Sequence, residues 1–136
     1  MVNVEQALKL KKVGADFDDL TNSYVLAANS KEKDTFEVEA GQDYFIQGLW
    51  FYMSGAQGML LVEIDGRAVI YRPNSVAPEL HNRLLEINEW ATGDVTVTVH
   101  NTENISRLVS YSLPILRIIS GKTVRESVET VLGAFT

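Results

Sequence analysis

Residues 34–72 read DTFEVEAGQDYFIQGLWFYMSGAQGMLLVEIDGRAVIYR, a pattern that predicts four β-strands cut by short turns. Asp65-Gly66 sits between two apolar runs, the strongest short-range signal for a two-residue hairpin. Ala40-Gly41-Gln42 and Ser54-Gly55-Ala56-Gln57-Gly58 supply the positive-φ positions that tight connections need. Between them, the predicted strand Tyr44 to Met53 is large and apolar on both sides. Strict alternation puts Tyr44, Ile46, Trp50 and Tyr52 on one face and Phe45, Leu49, Phe51 and Met53 on the other. A half-solvated strand alternates apolar with polar residues. One face therefore belongs to the domain's own core, and the second needs a cover: terminal helices, a symmetry mate or a ligand.

The period of two continues on both sides of this stretch. Strands are predicted at 23–29, 35–40, 43–53, 58–65, 67–72, 84–90, 94–101 and 107–113, the last extending through 115–119. Pro73 to Pro78 marks a longer crossing loop, and Pro114 predicts an edge or a bend in the final strand. Asn3 to Lys12 reads as a short helix. Asn3 and Gln6 match a capping box, Lys9, Lys11 and Lys12 sit where the helix dipole favours them, and Gly14 closes it. Val4, Leu8 and Lys11 share its predicted face, and Asp16 to Leu20 reads as a turn. After Gly121 the period becomes helical again, with Thr123 and Glu126 as a second capping-box match. Val124, Val128, Val131, Leu132 and Phe135 form one apolar stripe.

These readings divide the chain into an N-terminal arm (1–22), a β-sandwich domain (23–120) and a C-terminal amphipathic helix (121–136). The expected fold is all-β: a roughly eight-stranded antiparallel jelly-roll-like sandwich with short N- and C-terminal helices. The Cys…Trp…Cys spacing of immunoglobulin domains is missing.

At 136 residues the chain fits one domain, which buries roughly two-thirds of its unfolded surface without staples. It has no cysteine, which excludes disulfides, thiolate-bound zinc and thiol catalysis. A net charge of −6 argues against a general nucleic-acid binder. No apolar run has the length of a signal peptide or a membrane span, so a soluble, intracellularly assembled protein is expected.

Catalytic signatures are weak. His81 and His100 lack the His-x-His pairing of cupin metal sites, and a metal would need Glu86 or Glu89 besides. Asp16, Asp18 and Asp19 lack the glycine and distal glutamate of a calcium loop. Ser54, Ser75, Ser106, Ser110 and Ser112 sit in no nucleophile elbow. Glu37/Glu39 and Glu86/Glu89 are carboxylate pairs of the kind any solvated strand carries. The glycines of 54–58 precede a strand, so no helix N-terminus is there to hold phosphate. No catalytic residue, metal or cofactor is expected. Trp50, Tyr52 and Tyr71 are the candidates for a ring platform that stacks on sugars.

The phrase Phe36-Glu-Val-Glu-Ala-Gly-Gln-Asp-Tyr-Phe-Ile-Gln-Gly48, followed by Gly58-Met-Leu-Leu-Val-Glu-Ile-Asp-Gly66, resembles the small jelly-roll auxiliary proteins of tailed-phage virions, of the capsid decoration or cement type. The likeness is one of pattern over most of 23–119. It implies a non-enzymatic structural protein, assembled in the host cytoplasm into a virion. Its partners would be itself, as a homo-oligomeric trimer, and a capsid or other virion protein, with no nucleic acid and no membrane. The interface residues expected from the apolar pattern are Phe45, Leu49, Phe51 and Met53, with Leu8 and Val128 on the terminal helices. The alternative is a carbohydrate- or cell-surface-binding module.

Overall fold

The computed structural model describes residues 2–55, 57–74 and 83–133. The expectations for His81, Ser75, Pro78 and Phe135 fall outside them. A first helix α1 (Val4–Lys12) leads into eight strands: β1 (Asp16–Leu26), β2 (Lys31–Glu37), β3 (Gln42–Met53), β4 (Gly58–Ile64), β5 (Arg67–Arg72), β6 (Leu85–Ala91), β7 (Asp94–Asn101) and β8 (Arg107–Ile119). A second helix, α2 (Lys122–Leu132), follows.

The strands form two antiparallel four-stranded sheets, ordered β1-β8-β3-β6 and β2-β7-β4-β5. The neighbours 1·8, 2·7, 3·6 and 4·5 alternate between the sheets, as when one long antiparallel hairpin is rolled up on itself. That is the jelly-roll topology. The core between the sheets is built from Ile46, Phe51, Leu60, Val62, Val97, Leu113 and their neighbours. Valines 95, 97 and 99 supply the inward face of β7, as their alternation predicts.

Local chemistry explains the sharpest turns. Asp65 and Gly66 have φ of 51° and 81°, the two positive values of a type I′ turn, which matches strand twist. The Asp65 carboxylate also accepts hydrogen bonds from the backbone N–H groups of Thr92 (3.0 Å), Gly93 (2.7 Å) and Asp94 (3.0 Å). It thereby ties the β4–β5 turn to the β6–β7 turn. Burial works against its charge, but these donors outweigh that and hold the carboxyl below its usual range.

Asp16 to Leu20 is not a turn. It pairs with Arg117 to Leu113 and makes the sandwich start at Asp16, not at residue 23. Its acids mask the strand because β1 is a sheet edge, where charges on both faces remain wet. Pro114 lies in a central strand, not an edge. The structure absorbs it through the register shift in β3 between Ile46 and Trp50, where β3 carries one more residue than β8. The second capping box does not form either. Gly121 is the N-cap with no side-chain bond, and Glu126 instead lies 3.9 Å from Lys122. The Asn3–Gln6 box is present in both directions.

Candidate functional site

The register shift in β3 decides which residues face outward. Against β8, β3 carries one extra residue between Ile46 and Trp50, so its alternation resets there, as a bulge requires. Against β6 the register breaks between Ile46 and Gly48, with the extra residue on β6. Gly48 suits the position: a Cβ there would come within 2.6 Å of the Leu85 carbonyl oxygen. Tyr44 and Ile46 point into the sandwich before the bulge, and Leu49, Phe51 and Met53 do so after it. Trp50 and Tyr52 consequently point out, at 39% and 42% exposure.

The outer face of the β1-β8-β3-β6 sheet therefore has two halves. Over the first, Phe45, Leu116 and Ile118 lie beneath the terminal helices with Leu10, Ala15 and Val128 in a second apolar core. Phe45 and Trp90 meet edge to face, with centroids 5.1 Å apart. Polar contacts hold α2 in place. Arg125 Nε donates to the Asp43 carboxylate at 2.7 Å, and its guanidinium lies over the Trp90 ring, 5.1 Å from the centroid. Trp90 Nε1 donates to Glu129 at 2.9 Å. The Arg125 hydrogen bond holds the buried Asp43 carboxyl below the usual carboxylate range, against the effect of burial, with the Ser120 hydroxyl helping. Gln6 ties α1 to the Val131 carbonyl at 3.3 Å.

The second half is bare. Trp50 stands opposite Ser112, which stands opposite Thr21; Tyr52, Ser110 and Ser23 form the next row. These six residues line a shallow groove of about 540 Å³. Val25 and Leu108 extend this half and are exposed, and Phe17, in the row of Leu116 and Phe45, is exposed at the sheet edge. The one ionisable residue of this half on β1 is Asp19, which accepts from the Ser112 hydroxyl at 3.4 Å. A smaller apolar hollow joins Trp50, Phe17 and Pro114 to Val2 beside α1.

The residues expected at an interface are placed differently. Leu49, Phe51 and Met53 belong to the inter-sheet core, and Phe45 and Val128 to the core beneath the helices. None offers surface to a partner. On α1 the buried residue is Leu10, while Val4 and Leu8 stay 78% and 61% exposed, so the expected docking face of this helix is reversed. Of the ring-platform candidates, Trp50 and Tyr52 share one face. Tyr71 is exposed on β5, the edge of the other sheet. It borders a separate polar groove with Arg72, Arg83 and Glu86.

Phe17, Val25 and Leu108 went unnoticed in the sequence. Two of them lie in a strand first read as partly turn, and their shared face appears only through the register of β1 against β8. Among the described residues, no three His, Asp or Glu side chains converge in a way that could hold a metal ion. No described helix is long and apolar enough to cross a membrane. At the β1–β2 edge, Asp34 accepts from Asn22 (3.0 Å) and from the Tyr111 hydroxyl. Burial, then this bond to Asp34, raises the Tyr111 phenol well above its ordinary pKa.

No protein-family model and no curated protein matches this chain.

Proposed function

We propose that the protein is a non-enzymatic structural component of a virion, assembled in the host cytoplasm as a symmetric homo-oligomer that decorates or cements the capsid. The observation that carries this reading is the bare half of the β1-β8-β3-β6 sheet. Phe17, Val25, Trp50, Tyr52 and Leu108 are all exposed on one side of it. Exposed apolar patches of several hundred Å² mark interaction sites on soluble proteins. The jelly-roll strand order agrees with the fold that the resemblance to small virion proteins implies, although a fold by itself carries no activity. Particles purified from cells carrying the gene should contain the chain at a fixed copy number set by the shell's symmetry. Its absence from such particles would refute the reading.

A second reading has its own observation. Trp50 and Tyr52 are two residues apart on one strand face, roughly 7 Å by strand rise, and the hydroxyls of Thr21, Ser23, Ser110 and Ser112 flank them. Aromatic rings with adjacent hydroxyls are suited to stacking on sugar rings and hydrogen bonding to their edges. This would make the protein a glycan- or cell-surface-binding module. Titration of the exposed Trp50 fluorescence with a glycan panel separates the two, because the assembly protein gives no saturable sugar response.

A further inference from the structure

The structure leaves two apolar surfaces uncovered on the same side of one sheet. We infer that they cover each other, and that the protein forms a two-fold dimer in which α1 of each copy lies on the bare half-sheet of its partner. The inference rests on the self-assembly part of the proposed function and names the contact that carries it.

The first surface is the half-face of Val25, Trp50, Tyr52 and Leu108, bordered by Phe17, exposed at the sheet edge in the row of Leu116 and Phe45. The second is the outward side of α1. At 100° per residue, Leu8 points about 160° and Val4 about 120° away from Leu10, the residue that anchors α1 in the helix–sheet core. Both are more exposed than half, although they form an i,i+4 apolar pair of the kind that seeks a hydrophobic partner. A nine-residue helix gains little from an exposed leucine and valine unless something packs on them.

Geometry selects the symmetry. The helical layer stands above one half of the sheet and the bare half lies beside it, so the outer face is a step. A flat partner rests on the helices and leaves Trp50 and Tyr52 uncovered. A second copy turned end for end places its own helical layer into the recess and receives the first copy's layer in return. Because both surfaces belong to one side of one sheet, this exchange is reciprocal, as an isologous two-fold contact requires. It replaces the three-fold arrangement expected from the sequence.

Charge agrees. The element α1 carries Lys9, Lys11 and Lys12 against Glu5, and Lys9 pairs with Glu5 at 3.3 Å. On the outward face of β1 the ionisable residue is Asp19. Asp16 and Asp18 alternate to the other face, where Asp18 pairs with Arg117 at 3.4 Å. Lys11 and Lys12 of α1 thus meet the Asp19 carboxylate of the partner's bare half, in a chain whose net charge of −6 opposes contact between copies elsewhere. Area agrees too. The bare half-face leaves on the order of 400 Å² of apolar side chain uncovered, given the ~150–250 Å² an aromatic residue offers. That is about half of the ~800 Å² per partner in a standard interface, with a polar rim to supply the rest.

The test is sedimentation velocity and native mass spectrometry of the full chain and two double variants, Val4→Lys/Leu8→Lys and Trp50→Ser/Tyr52→Ser. All four positions are exposed, so the β-sheet circular dichroism should be preserved in both. The wild type should be a dimer, and each double variant should weaken association by on the order of 30-fold or more, as loss of central apolar anchors does. In a chain without cysteine, Leu8→Cys mixed with Tyr52→Cys should give an oxidised cross-linked pair that neither single variant gives alone. A monomeric wild type at the highest soluble concentration overturns this contact and the self-assembly reading together. An oligomer unaffected by both variants, or one of three-fold order, overturns the contact alone. A saturable glycan response at Trp50 assigns the half-face to a sugar and overturns it as well.

Discussion

The two halves of one sheet face in this jelly roll differ in what they do with the same kind of residue. Beneath the helices, Phe45 and Trp90 are packed edge to face and covered by α1 and α2. A few residues further along β3, Trp50 and Tyr52 are part-exposed beside serines. Both halves carry aromatic side chains, and β3 contributes to each. The covered half is part of the fold, and the bare half is surface left for something else. A large apolar residue on an outer sheet face is thus not in itself an interface residue. The local cover decides.

Predictions that break this contrast run from the core outward. The largest effect belongs to Phe51→Asp, which puts a charge between the sheets, where Phe51 is packed in the main core. Burial of an unpaired carboxylate should abolish the folded state, seen as loss of β-sheet circular dichroism. A variant that stayed folded but merely failed to assemble would show that the core has been misassigned. Next is Phe45→Ala. It opens the layer beneath the helices and should cost about 3–4 kcal/mol in urea unfolding, in the range of buried phenylalanine truncations.

Third comes the Asp43–Arg125 bond that holds α2. The folded-state pKa of Asp43 is lowered, with the Arg125 hydrogen bond the largest cause. Its contribution is therefore fully present above the unfolded carboxyl value of about 3.9 and is lost as pH falls through the lower folded value. Asp43→Asn should cost about 2 kcal/mol at neutral pH, the scale of a hydrogen bond to a charged group, and should flatten the loss of stability below about pH 4. An unchanged acid profile in chemical denaturation would remove Asp43 from that role. Smallest is Trp50→Ser on the bare half. Measured on the monomer it should change unfolding stability by no more than about 0.5 kcal/mol, as exposed positions do. A cost near that of Phe45→Ala would mean that the bare half is structural after all.

Much of the fold was legible in residue chemistry. The Asp65-Gly66 hairpin, the Asn3–Gln6 box, the alternation of Val95, Val97 and Val99, and the helical stripe Val124–Val128–Val131 all appear in place. Each depends on neighbours within about one turn or one strand. The candidate site was half legible. Trp50 and Tyr52 stood out as rings, but strict alternation assigned them to the core and assigned Leu49, Phe51 and Met53 to the surface.

What the sequence determined by itself was therefore local: eight strands, two terminal helices, tight turns at glycines, and an apolar excess in Tyr44–Met53 too large for one buried face. What only the tertiary structure decided is which of those side chains that excess leaves outside. Alternation is a property of one pleated strand, whereas a bulge is set by its neighbours. Here the register of β3 breaks between β6 on one side and β8, with Pro114, on the other. Those strands lie some 40 to 70 residues away in the chain. Their pairing reverses the outward face of β3 at Gln47–Gly48, and so moves the exposed surface from Phe51 to Trp50 and Tyr52.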